Sequence, residues 1–570
     1  MKSYIFVINN STPSNKQVPI TPRINPVFAI VDTVWWRDAV IYQLYPRSFR
    51  DSNGDGIGDI RGVIQGLPYL ASLGVDAIWL SPFYTTPNRD GGYDVSNPRD
   101  VDPVFGSLSD AEELIQVAHG FGLKVIFDIV PNHFSSEHQW FQAALKAKPH
   151  SLERNRFHFH DGRGLGGNES PNNWNSLFNG SAWTRVTEAD GNLGQWYLHL
   201  FDSSQPDLNW DNVDIQEDFK VTLRFWLDRG VNGFRIDVAH GLAKDEIDKD
   251  HPNPDALTRA LRVDSKGMSK EERISLLTNV PFFDREGVHK IYQEWRKVID
   301  EYSGERMFVA EAYIYPTSRL ARYVRPGELH QVFNFDFLLI DWDASLIRST
   351  VERILRELKE TGSPPTWALC NHDSPRVVTR LQSSEKARAL ALITQALPGA
   401  LYIYQGEELG LPDGEIAPEF RQDPVFIRSE GKDLGRDGAR IPIPWNSKEK
   451  NFGFSTGTPW LPIPAGYVEN AMDVERADPA SFLELYRKSL SIRKILGLGK
   501  DIEIEWHEAP EGVIYFTRGK NFVLLSNTTD QNIDLAINDP VTIILASSTG
   551  TLILGTTVTL PANTTVWLQR

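Results

Sequence analysis

At 570 residues the chain is too long for one modest core, and its 41% hydrophobic content is that of a globular protein with one large domain and at least one smaller one. A formal net charge of −16, with no cluster of Lys and Arg, excludes nucleic acid and anionic membrane surfaces as partners. The single cysteine, Cys370, excludes an intrachain disulfide framework, a Cys-based zinc site and a dithiol redox pair.

The opening MKSYIFVINN has one lysine and an apolar run only from Tyr4 to Ile8, whereas a signal peptide needs about 7–15 apolar residues. No later run approaches the ~20 apolar residues of a membrane span, so the expected location is the cytoplasm. Residues 9–30 mix Ser, Thr, Asn and Pro without periodicity, which predicts a flexible lead-in over 1–30.

From Trp35 on, short apolar runs alternate with amphipathic helices. The predicted strands are 39–45, 76–81, 124–130, 233–238, 307–312, 331–337, 367–371 and 400–404. Eight βα repeats imply a parallel (β/α)8 barrel of the TIM type, an α/β fold. Trp35 and Trp36 read as packing at the closed end of that barrel. Ser109 with Glu112 reads as a capping box; Leu114, Val117, Ala118 and Phe121 share a helical face, and Gly120 and Gly122 close it. Phe219, Leu223, Trp226 and Leu227 repeat the pattern, stopped by Gly230. The barrel is assigned to 31–133 and 206–498. Residues 134–205, rich in His, Asn, Gly and Trp, are too long for a βα loop and predict an irregular subdomain inserted after the third strand. Beyond 499 the texture becomes short β-branched runs with turns, which predicts a C-terminal antiparallel β domain over 499–570.

The C-terminal strand ends of such a barrel line one mouth. Here they carry Asp128, Asn132 and His133; Arg235 and Asp237; Glu311; and His372 with Asp373. Acetal cleavage needs a carboxylic acid on the leaving oxygen and a carboxylate across the sugar carbon. Asp237, Glu311 and Asp373 supply that chemistry. Arg235 and Asp237, at i and i+2 of one strand, face the same side, so the guanidinium can orient the carboxylate. Any one strand-end Asp is more often a turn or cap residue, and an isolated histidine more often a core one; only the whole set points to catalysis.

DIVPNH (128–133), GFRIDVAH (233–240), FVAEA (308–312) and CNHD (370–373) resemble, in order, the four signature regions of glycoside hydrolase family 13, the α-amylase superfamily. The resemblance covers about 35–490. It implies Asp237 as nucleophile, Glu311 as acid/base and Asp373 as the residue that grips sugar hydroxyls, with His133, Arg235 and His372 lining the same glucosyl subsite. It further implies Asp94 of GGYDVSNP and Arg440 of GRDGARIPIPW as a clamp on a terminal glucose. YQLYPRSFRDSNGDGIGD and NHDSPR are similar to the α-glucosidase and oligo-1,6-glucosidase branch. Val238 accompanies α-1,6 cleavage in the resembling group, yet the adjoining AHGLAKD differs from the usual context.

DSNGDGIGD places Asp51, Asn53, Asp55 and Asp59 at calcium-loop spacing without the closing glutamate of an EF-hand. The resemblance implies a structural Ca2+ or Mg2+ there, with the Ile57 carbonyl as a further ligand; the alternative is a metal-free Asx-rich turn. Glu407 and Glu408 of YQGEELG read as solvated or supporting carboxylates.

The expected function is retaining, exo-acting hydrolysis of α-glucoside oligosaccharides. The alternatives are a transglycosylating or isomerising relative, trehalose- or isomaltulose-forming, and a non-catalytic accessory subunit. The sequence does not distinguish a monomer from a homo-oligomer.

Overall fold

A computed structural model describes residues 34–262, 268–278, 280–500 and 503–570. The predicted lead-in over 1–30 lies outside them. Eight parallel strands form one sheet: β1 (Val40–Leu44), β2 (Ala77–Leu80), β3 (Lys124–Ile129), β4 (Gly233–Ile236), β5 (Met307–Ala310), β6 (Gln331–Val332), β7 (Thr366–Ala368) and β8 (Ala400–Tyr404). Their order is β6-β5-β4-β3-β2-β1-β8-β7, each beside its chain neighbour. The hydroxyl of Thr366 in β7 donates to the Val332 carbonyl of β6 at 2.7 Å and so links the two end strands. The sheet is the predicted barrel.

Ile41, Trp79, Ile126, Val309 and Tyr402 fill its interior, and Trp35 and Trp36 pack against that cluster beside the start of β1, as expected. The longer helices, α1 (Ile60–Leu73), α2 (Leu108–Gly120), α3 (Val213–Leu227), α4 (Gly287–Ile299), α5 (Ala344–Leu358), α6 (Ser384–Gln395) and α7 (Phe482–Leu496), surround it. Their apolar faces build the larger core between helices and strands.

Three local expectations are corrected. The capping box of α2 is Ser107 with Asp110, because Ser109 already lies inside the helix. QVFNFDF stays in the sheet only for Gln331 and Val332, after which Phe335–Leu338 coils into a helical turn. The link from β5 to β6 is the 3-10 segment Thr317–Val324 in place of an α-helix.

Within the predicted insertion, Phe159–His160, Trp183–Thr187 and Leu193–Leu198 form a three-stranded antiparallel sheet. Its return to the barrel is fastened by Lys244 from the loop after β4. The Lys244 ammonium, fully buried, meets the equally buried Asp207 carboxylate at 3.0 Å and donates to Asn132 Oδ1 at 3.2 Å and the Gly241 carbonyl at 2.7 Å. Removing one partner of a buried pair strands the other charge, at about 3–5 kcal/mol. Lys244→Met is therefore expected to lower the melting temperature by several degrees in scanning calorimetry; an unchanged midpoint would show that this bond set does not hold the insertion.

The C-terminal strands form a five-stranded and a three-stranded antiparallel sheet, as the alternating pattern predicts. They are fixed to the barrel by polar bonds: Trp567 Nε1 donates to the Leu392 carbonyl of α6 at 3.0 Å, and buried Arg518 donates to the Ala396 carbonyl at 2.8 Å. No helix among the described residues is long and apolar enough to cross a membrane.

Candidate active site

The predicted strand-end residues converge on Arg235 of β4. Register pairs it with Asp128 of β3, and its Nη1 donates to both Asp128 oxygens at 2.8 and 3.0 Å and to Asp237 Oδ1 at 2.7 Å. Its Nη2 reaches Glu311 Oε2, just past β5, at 2.8 Å. The i, i+2 relation on one strand thus does what the sequence predicts, and one buried guanidinium links three carboxylates. Asp128 faces Arg235, Tyr93 and Trp79 in full burial.

Val238 holds Glu311 from the other side. Its N–H donates to Glu311 Oε2 at 3.0 Å, and it does so from φ 44°, a left-handed conformation that a β-branched residue adopts at a cost of about 1–3 kcal/mol. Burial pushes the Asp237 carboxyl well above its usual range; Arg235 opposes this, while Glu311, Asp128 and Asp373 add to it. Burial likewise raises Asp128 to about 6 against the pull of Arg235.

His372 sits between Gln43 and Tyr93. The Gln43 Nε2 amide at 2.7 Å fixes His372 Nδ1 as acceptor, so Nε2 carries the proton and meets the Tyr93 hydroxyl at 2.7 Å; that hydroxyl lies 3.1 Å from Asp128 Oδ2. Burial lowers His372 to about 3 and His133 to about 4, so both imidazoles are neutral at pH 7. His133 rests against the Gln205 amide and the Tyr93 carbonyl.

Asp373 Oδ1 receives Arg440 Nη2 at 2.7 Å and Arg436 Nη1 at 3.1 Å. Burial alone would raise this carboxyl. The guanidinium groups outweigh it and hold Asp373 well below the usual carboxylate range, with His372 contributing only under conditions acid enough to charge it.

The clamp expected from Asp94 and Arg440 is not a pair in the structure. Asp94 is fully buried and its oxygens accept the Arg89 and Asp90 N–H groups at 2.9 and 3.1 Å, so it shapes its own loop, and burial raises it to about 6. Arg440 reaches Asp373 but not Asp94. In that loop the acidic residue that faces Arg436 is Asp90, whose Oδ1 lies 2.7 Å from Arg436 Nη2; Asp423 also receives Arg436 Nε at 2.7 Å, and Gln205 donates to Asp90 at 3.0 Å. The sequence reading missed Asp90, Arg436, Tyr93 and Gln205. RDGGYD and GRDGAR each offer two acids or two arginines four residues apart, and loop spacing alone does not say which one faces the cavity.

Glu407 and Glu408 are fully buried, not solvated. Glu408 Oε1 accepts the Tyr42 and Tyr69 hydroxyls, each at 2.7 Å; Glu407 accepts Tyr486 at 2.9 Å and faces Cys370 Sγ at 3.3 Å, two residues before His372 in the segment after β7.

In the expected cation loop, Asp51 accepts the N–H groups of Asn53, Gly54 and Gly56, Asp55 that of Ile57, and Asp59 caps α1 by accepting from Gly62. The donor set is all oxygen, the chemistry hard divalent cations take. No three His, Cys, Asp or Glu side chains among the described residues are grouped to hold a metal by themselves, so occupancy would need the Asn53 amide and the Ile57 carbonyl as well.

Comparison with known proteins extends these observations. Residues 43–498 match the family model described as alpha amylase, catalytic domain. A probable alpha-glucosidase of Rhizobium meliloti (strain 1021) is 38% identical over 507 residues, 85% of this chain and 87% of the relative. An oligo-1,6-glucosidase of Parageobacillus thermoglucosidasius is 36% identical over 81% of this chain and 84% of its own length. Among solved structures, the alpha-glucosyl transfer enzyme XgtA superposes with a TM-score of 0.84 at 36% identity, covering 95% of this chain and 100% of that one.

Proposed function

The chain belongs to the α-amylase family of glycoside hydrolases, and from that premise we propose that it is a retaining, exo-acting α-glucosidase. It releases terminal non-reducing glucose from maltose- and isomaltose-type oligosaccharides. Asp237 attacks the anomeric carbon while Glu311 gives its proton to the leaving oxygen; Glu311 then takes a proton from the water that breaks the glucosyl–Asp237 ester. Asp373, held ionised by two arginines, grips the sugar hydroxyls and stabilises positive charge on the ring. His372, His133 and Arg235 complete the glucosyl subsite.

The observation that carries this reading is Arg235, which binds Asp237 through one terminal nitrogen and Glu311 through the other. Both carboxylates thus lie within reach of one guanidinium, in keeping with the close placement of about 5–5.5 Å that a retaining pair uses. We assign the clamp on the terminal glucose to Asp90 and Arg436 in place of Asp94 and Arg440, since that pair converges with Asp373. A clamp of this kind would admit one sugar unit beyond the cut. Digestion of maltotriose followed by chromatography checks this: glucose and maltose accumulating together from the first minutes, with no transfer product, is the expected outcome. Early accumulation of longer saccharides would favour the second reading, glucosyl transfer, to which the likeness to a transfer enzyme points.

The loop from Asp51 to Asp59 is proposed to hold a structural Ca2+ or Mg2+ through Asp51, Asn53, Asp55, Asp59 and the Ile57 carbonyl, outside the reaction path. Stability should then depend on metal by mass action, about 2.7 kcal/mol at a hundredfold excess over Kd. A chelator is expected to lower the melting temperature and Ca2+ to restore it; a midpoint indifferent to both would leave the loop an Asx turn. Cytoplasmic residence remains our expectation, in keeping with the single buried thiol of Cys370.

A further inference from the structure

The two sheets of the C-terminal domain face each other across a shared apolar core, with Val523, Leu525 and Val566 from the five-stranded sheet against Leu535, Val558 and Leu560 from the three-stranded one. One edge strand of each sheet carries charge: Ile504–Trp506 contains Glu505, and Ile533–Ala536 contains Asp534. Charge in an edge strand discourages pairing with another chain. The opposite edges, Thr542–Ala546 and Leu552–Leu554, carry none. Only residues 547–551 separate these two strands, which brings both open edges to one rim of the domain. The whole stretch 540–569 holds no Asp, Glu, Lys or Arg, in a chain of which 24% is charged.

Leu552–Leu554 is apolar on both faces. Ile553 turns inward onto the domain core, whereas Leu552 and Leu554, opposite Thr559 and Thr557, stand on the outer face, 59% and 76% exposed. A solvated face of an antiparallel sheet ordinarily takes polar residues there. The strand pairs on one side only, and its far side meets no strand among the described residues, so the backbone N–H and C=O groups there are open to one more strand.

The strand that fits this edge is its own copy. Leu-Ile-Leu reads the same in both directions, so an antiparallel pair about a twofold axis at Ile553 sets Leu552 of one copy against Leu554 of the other. A charged residue beside such an axis meets its own like charge, and chains of net charge −16 repel each other as wholes. An uncharged rim is the surface on which two of them can meet.

We propose that two copies of this chain join edge to edge through Leu552–Leu554, extending the three-stranded sheet into one of six strands. The contact uses the C-terminal domain alone and is independent of which bond the barrel cuts.

Sedimentation velocity of the full chain tests this. The wild-type protein is expected to form a dimer of twice the chain mass, with its midpoint within about 1–100 µM, the strength open to a small interface. Leu554→Lys enters the symmetric contact twice and should weaken the dimer by roughly a hundredfold. Because Leu554 is exposed, the melting temperature and turnover of this variant should stay at wild-type values. Leu165→Lys, which changes a leucine still more exposed on the insertion, should leave the dimer intact. A wild-type chain that stays monomeric throughout this range overturns the inference, as does a dimer that survives Leu554→Lys or is lost with Leu165→Lys.

Discussion

Asp237→Asn is expected to lower kcat/KM on p-nitrophenyl α-glucoside by about 10^4- to 10^6-fold, the scale seen when a covalent nucleophile is removed. The amide cannot form the glucosyl ester, and nothing nearby replaces it: Asp128 is turned onto Arg235, and Asp373 is committed to two arginines. The fold should survive. Asp237 is buried among other carboxylates that make its charge unfavourable, so an isosteric neutral amide relieves part of that repulsion while its oxygen still accepts from Arg235, with the ion pair lost. A melting temperature within a few degrees of wild type separates a chemical loss from misfolding. Wild-type turnover in this variant would remove Asp237 from the mechanism.

The second large effect is expected at Glu311, and its signature is a dependence on the leaving group. Glu311→Gln keeps an acceptor for the Val238 N–H and for Arg235 but has no proton to give. General acid catalysis is worth about 10^2- to 10^4-fold. That whole factor should vanish for maltose, whose departing hydroxyl is weakly acidic. For p-nitrophenyl α-glucoside, whose phenolate leaves unaided, the first step should be much less affected, so that the release of nitrophenol shows a burst before slow deglycosylation. Equal losses on both substrates would mean that Glu311 positions the sugar without moving a proton.

The barrel was legible in the sequence because apolar runs and amphipathic helices alternate at a period that local chemistry enforces. Arg235 and Asp237 were readable as neighbours because strand geometry fixes i and i+2 on one face. Strand lengths were less so: QVFNFDF alternates as a strand should, yet Phe333 and Phe335 turn into the barrel interior and the ladder ends at Val332. The pairing of Asp90 with Arg436 could not be read, because it joins two loops more than 300 residues apart, a distance set only by closure of the barrel. The same holds for the left-handed Val238, whose strain is supported by the bond to Glu311 from another part of the chain. The burial of Glu407 and Glu408 likewise depends on tyrosines from β1, α1 and α7.

The central claim is that Asp237 and Glu311 cleave through a covalent glucosyl intermediate. Proton NMR during hydrolysis of p-nitrophenyl α-glucoside tests it most directly, with the anomeric signals followed before mutarotation sets in. A covalent intermediate predicts that the α-anomer of glucose appears first and the β-anomer grows only later; initial release of β-glucose would contradict it.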